Sequence, residues 1–309
     1  MEKRIVIMAS FGDAHFFKLQ IPNIIRTLKP THICISEGLF PTGPETNLQI
    51  TEEWKKKWCY PDDNRLAFDT EETQKIISDF NNSYSDVEIK WLPTEFDKSW
   101  NASECYSYSV SRFEDFDIEV NEGDIIFPYE PDMFHHEEHM DILEDELSKL
   151  KPNESIKSYW IDFIGNQYYT ENGHWPEYGN PRERKLAIKF GTMDYYKSVI
   201  IQFESQRFYR KKSKKRKESQ RYPMCKRTDI VTYHYCWFKK GPYLDLRYDL
   251  IPRNERYWLD WGNALVEMET AWKDKRDVVL RPSHNNLHRF VKYVELDHPR
   301  EIKEHECWV

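Results

Sequence analysis

Hydrophobic and polar positions in the first half of the chain predict strands and helices in alternation. Four short apolar runs are typical of buried strands, at 4–8, 31–36, 87–92 and 124–127. Three segments carry apolar residues at helical spacing, at 16–28, around 76–80 and at about 137–150. The motif Asp69-Thr70-Glu71-Glu72 predicts the N-cap of the second helix, whereas Pro22 favours a later start for the first. This order predicts an α/β fold with a mainly parallel sheet and flanking helices.

The second half of the chain is less regular. Three further strands are predicted, at about 156–164, 185–190 and 229–237. The sequence shows no internal repeat and no clean linker between the two halves. We therefore expect one domain over residues 1–309, with a regular half at 1–150 and an irregular half at 151–309.

Composition indicates a folded globular chain. The 309 residues are 39% hydrophobic, 32% charged and 15% aromatic, which excludes collagen-like and low-complexity proteins. No stretch approaches the roughly 20 apolar residues that cross a bilayer, and the N-terminus does not resemble a secretory signal. The 6 cysteines are widely spaced, without a C-x-x-C pair. We expect a cytoplasmic protein with no membrane contact and no obligate protein partner.

Positive charge is concentrated in one segment of an otherwise acidic chain. Residues 207–227 contain 11 Lys and Arg against one acid, Glu218, although the chain has a net charge of −8. Clustered cations bind phosphates by releasing counterions, so this basic segment is a candidate nucleic-acid contact; a solvated loop is the alternative. The candidate residues are Arg210, Lys211, Lys212, Lys214, Lys215, Arg216 and Lys217.

Two carboxylates directly follow the fourth predicted strand. Glu130 and Asp132 lie on either side of Pro131. Hard divalent cations take oxygen ligands, so such a pair at the end of a strand predicts a metal site. The alternative is an ordinary turn, in which Pro131 fixes φ and Asp132 caps the following helix.

A second metal motif overlaps the start of the third predicted helix. The segment His135-His136-Glu137-Glu138-His139 satisfies the H-x-x-E-H pattern of inverted zincins, in which two histidines bind zinc and Glu138 serves as base. A polar helix start is the alternative. Dehydrogenases, ATPases and serine hydrolases are disfavoured, because the chain has no G-x-G-x-x-G, G-x-x-x-x-G-K or G-x-S-x-G motif.

These features occur in the order found in GT-A-type glycosyltransferases, which the chain resembles. In that family a Rossmann-like first half has an acid after its second strand, where Ser36-Glu37-Gly38 lies. Arg112, Gly123-Asp124 and Glu130-Pro131-Asp132 match, in order, the family's arginine, its Gly-Asp and its Asp-x-Asp-like metal motif. Glu130 departs from the family's first Asp. Residues 232–240 resemble the histidine segment that closes such sites.

The resemblance implies a metal-dependent transfer of a sugar from a UDP-sugar. Glu130, Asp132 and His234 would hold Mn²⁺ or Mg²⁺ on the diphosphate. The nucleotide sugar would contact Ser10, Phe11, Asp13, Glu37, Arg112, Glu130, Lys239 and Lys240.

The resemblance also implies the catalytic groups. Asp132, Glu177 and Lys239 are the expected catalytic residues, and Arg247 is an alternative to Lys239 beside the departing diphosphate. Inversion of the sugar would require a carboxylate base, which stays open among Glu137, Asp162, Glu171 and Glu177.

A narrower resemblance concerns the acceptor. The segment 37–45, the Glu-Pro-Asp motif and the His-Tyr-x-Trp segment are similar to those of phage-encoded glycosyltransferases that modify hydroxymethylated DNA bases. Together with the basic segment, this resemblance implies double-stranded DNA as the acceptor. Three alternatives stay open: transfer to a surface-glycan precursor, a nucleotidyltransferase with the same metal acids, and a catalytically inactive nucleic-acid-binding protein.

Overall fold

The computed structural model describes residues 2–38, 41–42, 52–61, 65–94, 100–101, 112–163, 169–171, 182–197, 199, 225–235, 246, 267, 270–280 and 289–303. Its strands are β1 (Arg4–Ser10), β2 (His32–Glu37), β3 (Pro41–Thr42), β4 (Glu88–Pro93), β5 (Trp100–Asn101), β6 (Ile125–Tyr129), β7 (Met133–His135), β8 (Glu154–Asp162), β9 (Tyr169–Glu171), β10 (Arg182–Lys189), β11 (Cys225–His234), β12 (Val278–Leu280) and β13 (Arg289–Tyr293). The helices whose bounds lie within the described residues are α1 (Ala14–Leu28), α2 (Glu52–Trp58), α3 (Thr70–Ser83), α4 (Met140–Lys149) and α5 (Arg300–Lys303), and a 3-10 turn at Glu137–His139 precedes α4.

Eight strands form one mixed sheet, in the order β4-β2-β1-β6-β10-β8-β11-β7. The neighbours from β4 to β6 pair in parallel, so the carboxyl ends of β1, β2, β4 and β6 meet at one edge. β10 is antiparallel to β6 and β8, β11 is parallel to β8, and β7 is antiparallel to β11. The prediction of an α/β fold with a mixed, mainly parallel sheet is confirmed.

The central strands β1 and β6 are almost continuously apolar because both faces of the sheet are covered there. On one face, Val6 and Met8 of β1 belong to a buried cluster that contains the apolar sides of α1, α3 and α4. On the other face, Ile5 and Ile7 belong to a second buried cluster with Phe113, Phe116, Ile118, Tyr196 and Val199. The four predicted strands of the first half correspond to β1, β2, β4 and β6.

Helix α1 differs from its prediction at the N-terminal end. Pro22 lies inside the helix, which nevertheless begins at Ala14. An internal proline costs about 3 kcal/mol through its missing N–H and its clash with the preceding turn. Ala14, Phe16 and Phe17 are all fully buried, and burial of the two phenylalanines alone is worth more than that. The early start is therefore a result of tertiary packing.

Helix α3 forms where predicted, but Asp69 does not cap it. Asp69 has a φ of 54°, in the left-handed region, and its side chain makes no cap hydrogen bond to α3. Its Oδ2 instead accepts a hydrogen bond of 2.9 Å from the Ala14 N–H at the start of α1. The carboxylate thus joins two helices at the edge where the parallel strands end.

The second half of the chain completes the same sheet. The strands predicted near 156–164, 185–190 and 229–237 correspond to β8, β10 and β11. β12, β13 and β9 form a separate three-stranded sheet. Within the described ranges, no helix combines the length and the apolar character that a membrane span requires.

Candidate metal centre

Three side chains of ligand type converge where β6, β7 and β11 meet. Glu130 and Asp132 lie in the turn from β6 to β7, and His234 is the last residue of β11, opposite Met133 of β7. His234 Nε2 lies 3.3 Å from Glu130 Oε2 and 3.2 Å from Asp132 Oδ1. One ligand atom of each residue lies within 4.8 Å of the other two. The predicted metal-ligand set is thus adjacent in space.

Hydrogen bonds to its backbone carbonyl groups fix the turn that carries the two acids. Gln20 of α1 is fully buried, and its Nε2 donates to the carbonyl oxygens of Glu130 and Met133. The Tyr235 N–H donates to the Asp132 carbonyl at 2.8 Å. Because these bonds come from α1 and from the end of β11, packing of the helix and the strands sets the position of both carboxylates.

The donor set and its spacing fit a divalent cation. Asp132 is 6% exposed, and its Oδ1 has no hydrogen-bond partner among the described residues. A buried carboxylate oxygen without a partner is costly unless a ligand compensates it. Ligand atoms about 2.1 Å from one octahedral cation lie roughly 3.0 Å apart, close to the separations seen here. Two carboxylates and an imidazole suit Mn²⁺, and Mg²⁺ if oxygen ligands dominate.

Asp162 fixes the tautomer of His234. Asp162 is the last residue of β8 and is 3% exposed, and its Oδ1 lies 2.6 Å from His234 Nδ1. A carboxylate there accepts the Nδ1 proton, which leaves the lone pair of Nε2 directed toward Glu130 and Asp132. The Trp160 indole N–H also donates to Asp162 Oδ1 and holds the carboxylate in place. This pairing of carboxylate and imidazole is the usual arrangement behind a metal-binding histidine.

Arg184 of β10 closes the other side of the site. Its Nη1 donates to Glu130 Oε1, and its guanidinium lies 3.9 Å from the centroid of the Trp160 ring. The Trp160 ring also lies beside His234, with centroids 4.4 Å apart. Trp160 is fully buried and therefore forms a rigid floor under both side chains.

The loop from β1 to α1 and the end of β2 bring together four residues expected to contact the nucleotide sugar, namely Ser10, Phe11, Asp13 and Glu37. The Gly12 N–H donates to Glu37 Oε1 at 2.8 Å, and the Phe11 N–H donates to Asp13 Oδ2 at 3.0 Å. Asp13 and Glu37 are each 1% exposed. Ser10 is also buried, and the Phe11 ring stacks on Trp54 at 6.1 Å. Because the protein's own carboxylates accept these N–H groups, the start of α1 is unsuited to cradling a phosphate.

Burial dominates the electrostatics of that loop. It raises the pKa of Glu37 well above the usual carboxyl range, and the nearby charge of Asp13 adds to the effect, although the Gly12 N–H opposes it. Burial and the charge of Glu37 raise the pKa of Asp69 further still. At neutral pH Asp69 therefore retains a proton that a free carboxyl would have lost.

Arg112, another residue expected to contact the nucleotide sugar, is joined to Glu37 through Thr94. Its Nη1 donates to Thr94 Oγ1 at 2.6 Å, and its Nε donates to Asp115 at 2.9 Å. The Thr94 N–H in turn donates to the Glu37 carbonyl at 2.9 Å. The guanidinium is thus tied to the end of β4, next to β2.

The zinc hypothesis for residues 135–139 does not fit the structure. His135 lies at the end of β7 and is 2% exposed, with Nδ1 2.8 Å from Tyr129 Oη and Nε2 2.9 Å from Thr232 Oγ1. Burial lowers the pKa of His135 to about 3, so the imidazole stays neutral. Because both ring nitrogens of His135 have hydrogen-bond partners, Tyr129 and Thr232, neither is available to bind zinc. His139, the second histidine of the motif, has its Nε2 3.5 Å from Glu138 Oε1. His136 is not a ligand position of the motif, and its Nε2 lies 3.1 Å from Asp297 Oδ2.

Two of the four candidate bases are already committed. Asp162 holds His234, and Glu137 pairs with Arg26 at 2.9 Å. Partial burial favours a higher pKa for Glu137, but a hydrogen bond from its own backbone N–H and the charge of Arg26 together lower the pKa. Glu171 lies in β9, where its side chain is not described, and Glu177 lies outside the described residues.

Several further predicted site residues also lie outside the described residues. These are Lys239, Lys240, Arg247 and the basic candidates Arg210, Lys211, Lys212, Lys214, Lys215, Arg216 and Lys217. Only the end of the basic segment is described. There Lys226 pairs with Glu146, and Arg227 pairs with Glu183.

Sequence reasoning missed three contributors to the centre. The sequence indicates Asp162 only as one of four possible bases, and it gives no signal for Arg184 or Gln20. The one signal for Asp162 was its place at the carboxyl end of a strand, the same signal that identified Glu130 and Asp132. Arg184 lies within a strand and Gln20 within a helix, and neither belongs to a motif.

Comparison with known proteins does not assign the chain to a family, since no family model matches the chain and no curated protein matches its sequence. What the centre does must follow from its own residues and their geometry.

Proposed function

We propose that this protein is a metal-dependent glycosyltransferase that moves a sugar from a UDP-sugar to a hydroxyl acceptor. The observation that carries the proposal is the convergence of Glu130, Asp132 and His234 at the end of the parallel strands. Open α/β sheets bind ligands outside the carboxyl ends of their strands. A cation site at that edge suits a substrate whose reactive end is an anionic leaving group.

The sheet supports the narrower assignment to a GT-A-like fold. Four parallel strands in the order β4-β2-β1-β6 form a Rossmann-like half, and the antiparallel β10 lies directly beside β6. The acid pair follows β6, the strand that carries the metal motif in the family that the sequence resembles.

Each residue of the centre has one proposed role. Glu130, Asp132 and His234 would hold Mn²⁺ or Mg²⁺, and Asp162 keeps the lone pair of His234 Nε2 available. When bound, the cation supplies charge stabilisation for the departing diphosphate. Lys239 is the proposed second cation beside that leaving group.

The loop after β1 would bind the uridine end of the donor. The backbone N–H groups of Gly12 and Ala14, around the start of α1, already donate to the carboxylates of Glu37 and Asp69. We therefore place the diphosphate of the donor at the metal centre and its base and ribose beside the loop. Glu37 and Arg112 lie on that side of the sheet edge. Glu177 is the proposed base, with Glu171 as the alternative, since Asp162 and Glu137 have other partners.

The donor site is tested by thermal stability with UDP and UDP-sugars, each with and without Mn²⁺. A ligand at about 100 times its Kd stabilises the native state by about 2.7 kcal/mol. We expect a rise in Tm that needs both UDP and Mn²⁺ and is absent in Asp132→Ala. The control is Asp145→Ala, which removes an exposed carboxylate of α4. A rise with zinc alone, and none with any nucleotide, would contradict the proposal.

The proposed acceptor is the hydroxymethyl group of a modified base in double-stranded DNA. The basic segment supports it, because its charge favours a polyanion. Replacement of Lys211, Lys212, Lys214, Lys215, Arg216 and Lys217 by Gln should abolish transfer to DNA and preserve Mn²⁺-dependent hydrolysis of the UDP-sugar. Normal transfer by that variant would exclude DNA as the acceptor. DNA binding without hydrolysis in the natural protein would indicate a catalytically inactive DNA-binding protein.

A further inference from the structure

The two oxygens of the Glu130 carboxylate face different partners. Oε1 accepts a hydrogen bond from Arg184 Nη1, whereas Oε2 lies 3.3 Å from His234 Nε2. Oε2 is therefore directed into the metal centre and Oε1 away from it. Arg184 comes from β10 and Glu130 from the end of β6, so the pair spans two neighbouring strands of the sheet.

The position of Arg184 is fixed by its surroundings. Its guanidinium lies over the fully buried Trp160 ring, and the Trp160 N–H is tied to Asp162. Arg184 and Glu130 retain only 15% and 24% exposure of their side chains. An ion pair with little access to water and with a stacked guanidinium resists rearrangement more than an exposed pair does.

We propose that Arg184 restricts Glu130 to one metal-binding oxygen and so makes the centre selective for Mn²⁺ or Mg²⁺ over Ca²⁺. This inference rests on the proposed metal centre. Ca²⁺ takes 6 to 8 oxygen ligands and readily accepts a carboxylate through both oxygens. Mg²⁺ is held at about 2.0–2.1 Å in near-ideal octahedral geometry, to which a carboxylate contributes one oxygen.

Removal of Arg184 should raise the affinity for Ca²⁺ more than the affinity for Mn²⁺. The loss of one positive charge beside the centre favours both divalent cations to a similar extent. The release of Oε1 adds an oxygen ligand that Ca²⁺ can use and a small octahedral ion cannot. The ratio of the two dissociation constants, Kd for Ca²⁺ over Kd for Mn²⁺, therefore measures the effect of releasing Oε1, because the loss of charge cancels in the ratio.

The experiment measures both constants on the full chain without any substrate. Mn²⁺ binding is followed by the electron paramagnetic resonance of free Mn²⁺, and Ca²⁺ binding by its competition. In Arg184→Met we expect the ratio to fall by about tenfold, the lower range of effects for residues that orient metal ligands. The control is Arg4→Met, which removes a similarly buried arginine from Glu144 at the opposite end of β1 and should leave the ratio unchanged.

The outcomes distinguish the role of Arg184 in selectivity from the existence of the metal centre. If the natural protein binds no Mn²⁺, the metal centre itself is refuted, together with its selectivity. If it binds Mn²⁺ and the folded Arg184→Met protein keeps the natural ratio, Arg184 does not determine selectivity and the inference is overturned. If the methionine variant fails to melt cooperatively, Arg184→Leu, which also has no hydrogen-bond donor for Glu130 Oε1, is measured in its place, and the same fall in the ratio is expected of it.

Discussion

Asp69→Asn should stabilise the protein at alkaline pH. Asp69 is a buried acid beside Glu37 and Asp13, and its pKa rises from 3.8 to about 9 through burial and the charge of Glu37. The folded chain therefore keeps a proton that the unfolded chain releases above its ordinary pKa. This contribution to the free energy of unfolding is fully present below about pH 4 and is lost as pH rises through the folded pKa.

The size of the effect follows from the same shift. Each pH unit between the two pKa values changes the free energy of unfolding by about 1.4 kcal/mol for one group. From about pH 5 to about pH 8 the ceiling is roughly 4 kcal/mol, and local rearrangement around the charged acid relieves part of it. We expect Asp69→Asn to gain about 2 kcal/mol at about pH 8, or about 4 °C in Tm.

Asparagine preserves what the structure needs from this position. Its amide oxygen can accept the Ala14 N–H, and asparagine tolerates the left-handed φ of 54°. The control is Asp124→Asn, another buried acid, whose two oxygens accept the backbone N–H groups of Lys3 and Asn121 at 2.8 Å each. The amide loses one of these bonds, so the control should cost about 1–3 kcal/mol.

Urea denaturation of the three proteins at several pH values measures the effect. The natural protein should lose stability relative to Asp69→Asn as pH rises, and Asp124→Asn should be less stable than both. Equal pH dependence of the natural protein and Asp69→Asn would refute the reasoning, as would a lower stability of Asp69→Asn at about pH 8.

Three further predictions concern the centre and the strand ends. Asp162→Leu should shift His234 toward the Nε2–H tautomer, visible in its ¹⁵N ring shifts, and weaken Mn²⁺ binding by about 10–100-fold; unchanged shifts would show that Asp162 does not set the tautomer. Gln20→Met should loosen the turn of Glu130 and weaken Mn²⁺ binding by about tenfold, with calorimetry as the measurement and unaltered affinity as the contrary result. Gly38→Ala should cost about 2 kcal/mol in urea denaturation, because Gly38 has a φ of 89° and a Cβ would lie 2.8 Å from the Thr94 carbonyl oxygen; a neutral substitution would contradict this.

The sequence alone determined the alternating elements of the first half. Apolar periodicity is a local property, so β1, β2, β4 and β6 could be predicted from runs of buried residues, and α1 and α3 from one-sided spacing. The acid pair was predictable for a related reason. Glu130 and Asp132 directly follow an apolar strand, and strand ends in α/β sheets gather at one edge.

Only the tertiary structure decided how the centre is assembled. Arg184 lies 54 residues from Glu130, Asp162 lies 72 from His234, and Gln20 lies 110 from Glu130. Their contacts depend on the antiparallel insertion of β10 and on the packing of α1, which no local pattern encodes. The same reason explains His135, which matched a zinc motif by spacing and proved to be a buried member of a hydrogen-bonded chain. A motif fixes the order of residues, but the strand register and burial decide which nitrogens and oxygens can reach a ligand.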